Sequence, residues 1–399
     1  MLDKGFFFNP NDISFIEDPY PTYKLLRECE PIHKSPMGYW VLTQYSTILG
    51  TLHDKRFSNE PSIYAVLNKK NSTRYISAKI ANNTIPFQDP PLQKINRRLI
   101  SRAYFSYLKQ YPLDIQATAK ELLFSVLQKG EIDLIQDYAK PLSVKTTSLL
   151  LGVPEQDEKK LEAWSEYFFY LFVPIPSQEI LSKMEVALTE FKQYFEELVI
   201  NRSKDPKNDL ISHLLSVIDG DERLSIDQIV DTCMLLFADG VENIDSSIAN
   251  TLLLLINHPK QFQILLNNPE LLSSAIEEAL RIDPPAQLIA RIAKEDILIE
   301  DKLIKKNEAV LLVLAAANRD PVQFTDPDVF NIQRETNEHI TFGSGKHACI
   351  GGGLATEQIT VGIKILIQHL NNIKLKNGMP KRVHRFGHRW FDEFIIKFN

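Results

Sequence analysis

The sequence predicts a mainly α-helical protein with small β-sheets. Three observations predict it. Apolar residues keep helical spacing through residues 92–285 and again over 353–370. Short, partly β-branched runs fill 288–314, with a smaller set at 31–42. No Gly/Ser linker, internal repeat or low-complexity tract divides the chain, so residues 1–399 are expected to form a single domain.

Taken in order, the chain opens on MLDKGFFFNPND, whose early acid and three-Phe run fit neither a signal peptide nor a membrane anchor. A short helix from Tyr20 to Glu28 leads into strands at Pro31 to Lys34 and Tyr39 to Leu42, with Pro36 and Gly38 marking the turn. A long helix is expected from Ser225 to His258. Ser225 and Gln228 have capping-box spacing, and Pro259 supplies a stop. Over thirty residues at 1.5 Å rise span roughly 50 Å. Its middle, FADGVENIDSS, breaks the pattern. A glycine such as Gly240 costs about 1 kcal/mol against Ala inside a helix. Asp239, Glu242, Asn243 and Asp245 also fall where core residues belong. Either the helix is kinked or partly exposed there, or something must approach its backbone closely.

PELLSSAIEEALRIDPP is the next helix, ended by Pro284 and Pro285, with Glu278 and Arg281 at i and i+3. Taken alone, that is a surface ion pair worth about 0 to 1 kcal/mol. LIARIA, ILIE, KLI and AVLLVL, parted by ED and KKNE, supply the late sheet. After TFGSGKHACIGGGLATEQ a last helix places Ile359, Ile363, Leu366, Ile367 and Leu370 on its core face.

Composition narrows the function. Hydrophobic residues at 44% and charged residues at 24% are those of a globular chain, not a disordered one. A net charge of −6 with scattered Lys and Arg argues against a nucleic-acid partner. Cys29, Cys233 and Cys349 are too far apart for a disulfide framework or a CxxC zinc pair, so a reducing cytoplasm is the expected setting. The apolar stretch at Leu252 to Ile256 is too short to cross a bilayer, and a soluble chain without a membrane anchor is expected.

Five of the fifteen glycines lie between Phe342 and Gly353, around Cys349 and just before a helix. Glycines cluster where backbone turns tightly or nears a ligand. Amide groups and a helix N-terminus favour thiolate over thiol. A phosphate loop would need GxxxxGK[ST], which is absent. A nucleophile would need a positioned base, and His347 is too near along the loop to judge. A single axial thiolate on a porphyrin fits one cysteine with no second ligand pair.

With these residues in view, the sequence resembles the cytochrome P450 family nearly end to end. FGSGKHACIG fits the heme loop FxxGxxxCxG at Phe342, Gly345, Cys349 and Gly351, and EALR fits the ExxR pair. The order of long helix, ExxR, sheet, ANRDP meander and cysteine loop fits as well. DPPLQKINRR, Asp89 to Arg98, is similar to the porphyrin-contacting helix of the soluble bacterial members. The resemblance implies a triangular helical prism with the long helix over the heme. It implies heme b (iron protoporphyrin IX), with no bound flavin or iron–sulfur cluster, and Cys349 as iron ligand with Phe342 beside it. Arg97, Arg291 and His347 match propionate-binding positions, and Gln93 stands where many relatives have His. Val329 stands where many relatives have the arginine that completes the ExxR brace, with Arg334 the candidate substitute.

On the distal side the resemblance gives Gly240 the task of leaving room for dioxygen and Glu242 that of relaying protons. Asn243 replaces the usual Thr; an amide can donate but cannot pass a proton as a hydroxyl does. Ser246 is the candidate for a replacement water chain. Asp239 either turns to water or binds a polar group of the substrate. Phe169, Leu288 and Ile289 are expected pocket-lining residues for a large apolar small molecule of secondary metabolism. Electrons are expected from a ferredoxin or flavodoxin with its reductase, docking on Lys94, Arg97, Arg98 and Lys346. The competing functions are a peroxygenase-like or non-hydroxylating heme-thiolate oxidase, and a non-catalytic heme-binding sensor.

Overall fold

A computed structural model describes residues 8, 9, 12–60, 66–172 and 177–399. Most of the opening segment, with the first two residues of its three-Phe run, lies outside the described residues. Among the described residues no helix is long and apolar enough to cross a membrane. The chain forms two compact units, Met1–Phe57 with Ile115–Leu142 and Asn243–Asn399, and Ser58–Asp114 with Ser143–Glu242.

The first unit holds the sheets. Five strands lie in the order Ile32–Lys34, Trp40–Leu42, Ala309–Leu312, Ile289–Ala293 and Phe57–Ser58. Ile32 faces Leu42 across an antiparallel hairpin, Trp40 runs parallel to Val310, and Arg291 lies opposite Val310 from the other side. Side chains on a strand alternate between faces. Trp40 and Leu42 accordingly join Val310 and Leu312 in one core cluster, while Val41 joins Tyr23, Leu26 and Val313 in another. With both faces covered, the run AVLLVL needs no polar alternation.

A second sheet was not foreseen. Glu131–Asp133 pairs with Ile395–Lys397, which pairs with Lys374–Leu375. The first of these strands interrupts a stretch read as helical because a three-residue segment shows no period of its own. Its partner lies over 250 residues away, from Ile132 to Ile396. The long helix stops at Asn257, just ahead of Pro259 as expected, and the same proline opens the next helix, Pro259–Asn267, at a position where a missing N–H costs nothing.

The second unit is a helical layer. It includes Ile76–Asn83, Leu92–Gln110, Glu158–Phe168, Gln178–Lys204 and Leu210–Ser216. Phe191 and Phe195 pack on Phe237 of the long helix, with ring centroids 5.9 and 6.4 Å away. That long helix runs unbroken from Ile226 to Asn257. Its start is the expected capping box: Ser225 N–H donates to Gln228 Oε1 at 2.8 Å, and Gln228 N–H to Ser225 Oγ at 3.2 Å.

Candidate active site

The cysteine loop is shaped by two glycines in left-handed conformations, Gly343 at φ 70° and Gly345 at φ 71°. Their turns fold the loop back, so that Cys349 N–H donates to Phe342 O at 2.8 Å. A Cβ on Gly352 would lie 3.5 Å from the Phe342 ring, and one on Gly345 would lie 3.1 Å from the His53 ring. His53 also holds Ser344 Oγ at 2.9 Å. The helix Gly352–His369 starts three residues after Cys349 and presents its positive end toward that segment. Cys349 is exposed, and Phe342, Ala348, Ile350 and Leu354 around it are only half-buried. His347 is half-buried in the one-turn helix Gly345–His347. Cys233, by contrast, is wholly buried in the long helix, and burial pushes its thiol pKa up.

Behind the loop stands the ExxR pair, and it is no surface pair. Glu278 and Arg281 are both 0% exposed. Arg281 Nε donates to Glu278 Oε2 at 2.7 Å and Nη2 to Oε1 at 3.0 Å. Arg281 Nη1 reaches the carbonyls of Asn318 and Pro327 at 2.7 and 2.8 Å. Arg334 supplies the second arginine: its Nε lies 3.0 Å from Glu278 Oε2, and its Nη1 donates to Thr325 O at 2.8 Å. Val329, lacking a charge, contributes only its carbonyl, to Arg281 and Arg334. From there the brace reaches the cysteine loop. Asn318 donates to Thr341 Oγ1 and accepts from Ile340 N–H, and Thr341 Oγ1 donates to Leu280 O at 2.8 Å. The residue before Phe342 is thus tied to the ExxR helix.

At the centre of the long helix, Asp239 is exposed. Gly240 has a packing reason to be glycine: a Cβ there would lie 2.7 Å from Thr147 Oγ1, which donates to Gly240 O at 3.2 Å. Glu242 is buried and accepts from Ser165 Oγ at 3.2 Å. Asn243 is half-buried, and its Oδ1 accepts from the Trp390 indole at 3.2 Å. Ser246 Oγ donates to Asp245 Oδ1 at 3.0 Å.

The remaining expected residues fall in both units. Gln93 is buried and Arg97 half-buried on Leu92–Gln110, in the second unit. Arg291 is buried on its strand in the first unit, where Nη1 donates to Ala290 O at 2.8 Å. Arg98 weakens the expected basic patch, because Asp219 and Glu222 both pair with it. Phe169 is buried among aromatics, 5.9 Å from Phe172, which stacks on Phe87 at 5.0 Å. Leu288 rests on Gly387, and Ile289 packs against the sheet core.

One group escaped the sequence reading. Asp283 is buried and accepts from Tyr20 at 2.6 Å, Arg382 at 2.9 Å and Arg389 at 2.9 Å. Although burial opposes ionisation, the two arginines hold its pKa down, at about 2. Three arginines within Arg382 to Arg389 of an acidic chain were the available signal.

Residues 155–387 match the family model for cytochrome P450. The chain belongs to the cytochrome P450 family. It is 34% identical over 389 residues to the biotin biosynthesis cytochrome P450 of Bacillus subtilis, covering 96% of this chain and 97% of that one. The crystal structure of P450BioI in complex with an acyl carrier protein ligated to hexadec-9Z-enoic acid superposes with a TM-score of 0.89 at 33% identity. That match covers 97% of this chain and 99% of that one. PksS, the bacillaene polyketide synthase cytochrome P450 of Bacillus subtilis, follows at a TM-score of 0.88 and 26% identity, covering 98% of this chain and 100% of that one.

This cytochrome P450 therefore has the fold of its family, mainly α with small sheets, and is an oxidoreductase of the monooxygenase class. The family implies heme, and the residues present fit it. Among the described residues no group of three or more His, Cys, Asp and Glu could hold a metal alone. An exposed sulfur flanked by half-buried apolar side chains suits a flat apolar cofactor that carries four nitrogens.

Proposed function

We propose that this cytochrome P450 uses heme b to insert one oxygen atom from dioxygen into a largely apolar small molecule of secondary metabolism, with electrons from a separate ferredoxin or flavodoxin and its reductase. The observation that carries the reading is the exposed Cys349 in its glycine-shaped loop, backed by the Glu278–Arg281–Arg334 brace. Heme, held through the Cys349 thiolate, would supply the redox chemistry.

The chain's own residues do the rest. Cys349 donates the thiolate, and Phe342 covers one side of it. Arg97, Arg291, His347 and Gln93 bind the propionates, for which a bidentate guanidinium is the natural partner. Glu242, buried against Ser165, takes up and delivers protons through that hydroxyl. Asn243 donates an amide hydrogen bond beside Gly240, and exposed Asp239 meets a polar group of the substrate. The hexadec-9Z-enoic acid bound to the carrier in P450BioI supports a long acyl-like substrate. The carrier-bound acyl chain in P450BioI supports a second reading, that the substrate arrives on a carrier protein.

The deciding experiment is the carbon monoxide difference spectrum of the dithionite-reduced protein. A red-shifted Soret band lost in Cys349→Ala is expected. A band at the position of histidine-ligated heme would overturn the assignment. Titration with one acyl chain, free and carrier-bound, separates the two substrate readings by which form shifts the Soret band at the lower concentration.

A further inference from the structure

We propose that Trp390 is a positioning residue for Asn243: its indole N–H selects one of the two orientations of the Asn243 amide and turns the amide donors away from the tryptophan, toward the reacting oxygen. The inference rests on the role given to Asn243 above. An asparagine amide has an acceptor and a donor end of nearly equal shape, and only its partners decide which end points where. An indole N–H can only donate. The 3.2 Å contact between Trp390 Nε1 and Asn243 Oδ1 therefore fixes the flip. A threonine needs no such partner, because its hydroxyl rotates to suit. The departure from threonine at residue 243 and the tryptophan at residue 390 belong together.

The tryptophan is held firmly enough to serve. Trp390 is 5% exposed, with the Arg385 guanidinium 4.9 Å from its ring centroid and the His388 ring 4.5 Å away. Val383 N–H donates to its carbonyl at 2.9 Å. Its neighbour Arg389 is clamped by Asp283, by Pro285 O through its own N–H at 2.8 Å, and by the carbonyls of Ile16 and Glu17 at 3.0 and 2.9 Å. Arg382 adds an anchor on the long helix itself, donating to Asn250 Oδ1 at 2.6 Å and to Arg389 O at 3.0 Å. Asn250 stands seven residues beyond Asn243, two turns along the same helix face. The loop is therefore pinned to that face at two levels, and the upper pin fixes where the indole points.

The test uses the full heme-loaded chain with labelled indole nitrogens, in the reduced carbon monoxide form, which is diamagnetic. Three tryptophans give three indole signals, from Trp40, Trp164 and Trp390. The Trp390 signal is assigned by its loss in Trp390→Phe, or by elimination with Trp40→Phe and Trp164→Phe should that variant fail to fold. In Asn243→Leu that signal is expected to move upfield and exchange with water about fivefold faster or more, the scale of one lost neutral hydrogen bond. The other two stay, bound to Glu308 and Glu190. An unmoved Trp390 signal overturns the proposal.

The second readout is the fraction of electrons that leaves as hydrogen peroxide, two electrons and two protons per dioxygen. It should rise in Trp390→Phe as it does in Asn243→Leu. Trp390→Phe with Asn243→Thr should restore it. A rise in Asn243→Leu alone overturns the positioning role and leaves that of Asn243 standing. No rise in either variant overturns both.

Discussion

The brace and the cysteine loop sit on adjoining segments of the same unit and are built by opposite rules. Around Glu278 the charges are answered: two arginines, the Asn331 N–H and the Asn337 amide converge on one buried carboxylate. Around Cys349 the side chains are half-buried or exposed, and the shape is held by backbone hydrogen bonds and left-handed glycines. Removing one partner from a buried ion pair leaves an uncompensated charge, whereas removing an exposed sulfur leaves little behind. Stability is thus concentrated in the brace and chemistry in the loop, and the two should separate under mutation.

The largest expected effect is on the brace. Glu278→Ala leaves Arg281 buried without its carboxylate and should cost about 3 to 5 kcal/mol, read from the denaturant midpoint. A loss below that of an exposed pair would show the brace to be dispensable. Next comes Asp283, a second buried carboxylate of the same unit. Its pKa is about 2 in the fold against an ordinary 3.8. Between those values the unfolded chain binds the extra proton, so its contribution is whole above the upper value and fades as pH falls through the lower one. That contribution is about 2 kcal/mol. The stability difference between the protein and Asp283→Asn should therefore shrink with acid across this window, and a constant difference would remove Asp283 as its source.

Gly240→Ala forces a methyl into Thr147 and should cost about 1 to 3 kcal/mol. The companion change Thr147→Ala should recover most of it, which a functional need for glycine alone would not allow. Smallest in stability is Cys349→Ala, expected to move the unfolding midpoint of the heme-free chain by less than about 0.5 kcal/mol while abolishing the thiolate carbon monoxide band.

The same contrast explains what could be read in advance. The cysteine loop was legible because its residues are contiguous, from Phe342 to Gly351. The long helix was legible from its capping box and its period. Spacing gave the Glu278–Arg281 pair, but not its burial, which depends on a meander of carbonyls from Asn318 to Val329. The strand Glu131–Asp133 and the cluster at Asp283 were hidden for one reason: their partners are far along the chain, 99 residues in the nearest case, and leave no local period. Gly240 was read as a gap, and packing against Thr147 shows a glycine can be required by a neighbour in the protein itself.

The link between Asn243 and Trp390 has a consequence for biosynthesis. The two residues are 147 positions apart. At roughly 5 to 20 residues per second, a ribosome completes the tryptophan some 7 to 30 seconds after the asparagine. Until then the Asn243 amide lacks that partner and can take either orientation. The distal geometry is therefore among the last things the growing chain settles, and a polypeptide ending between Gly353 and Trp390 would carry the iron-ligand loop without its hydrogen-bond selector.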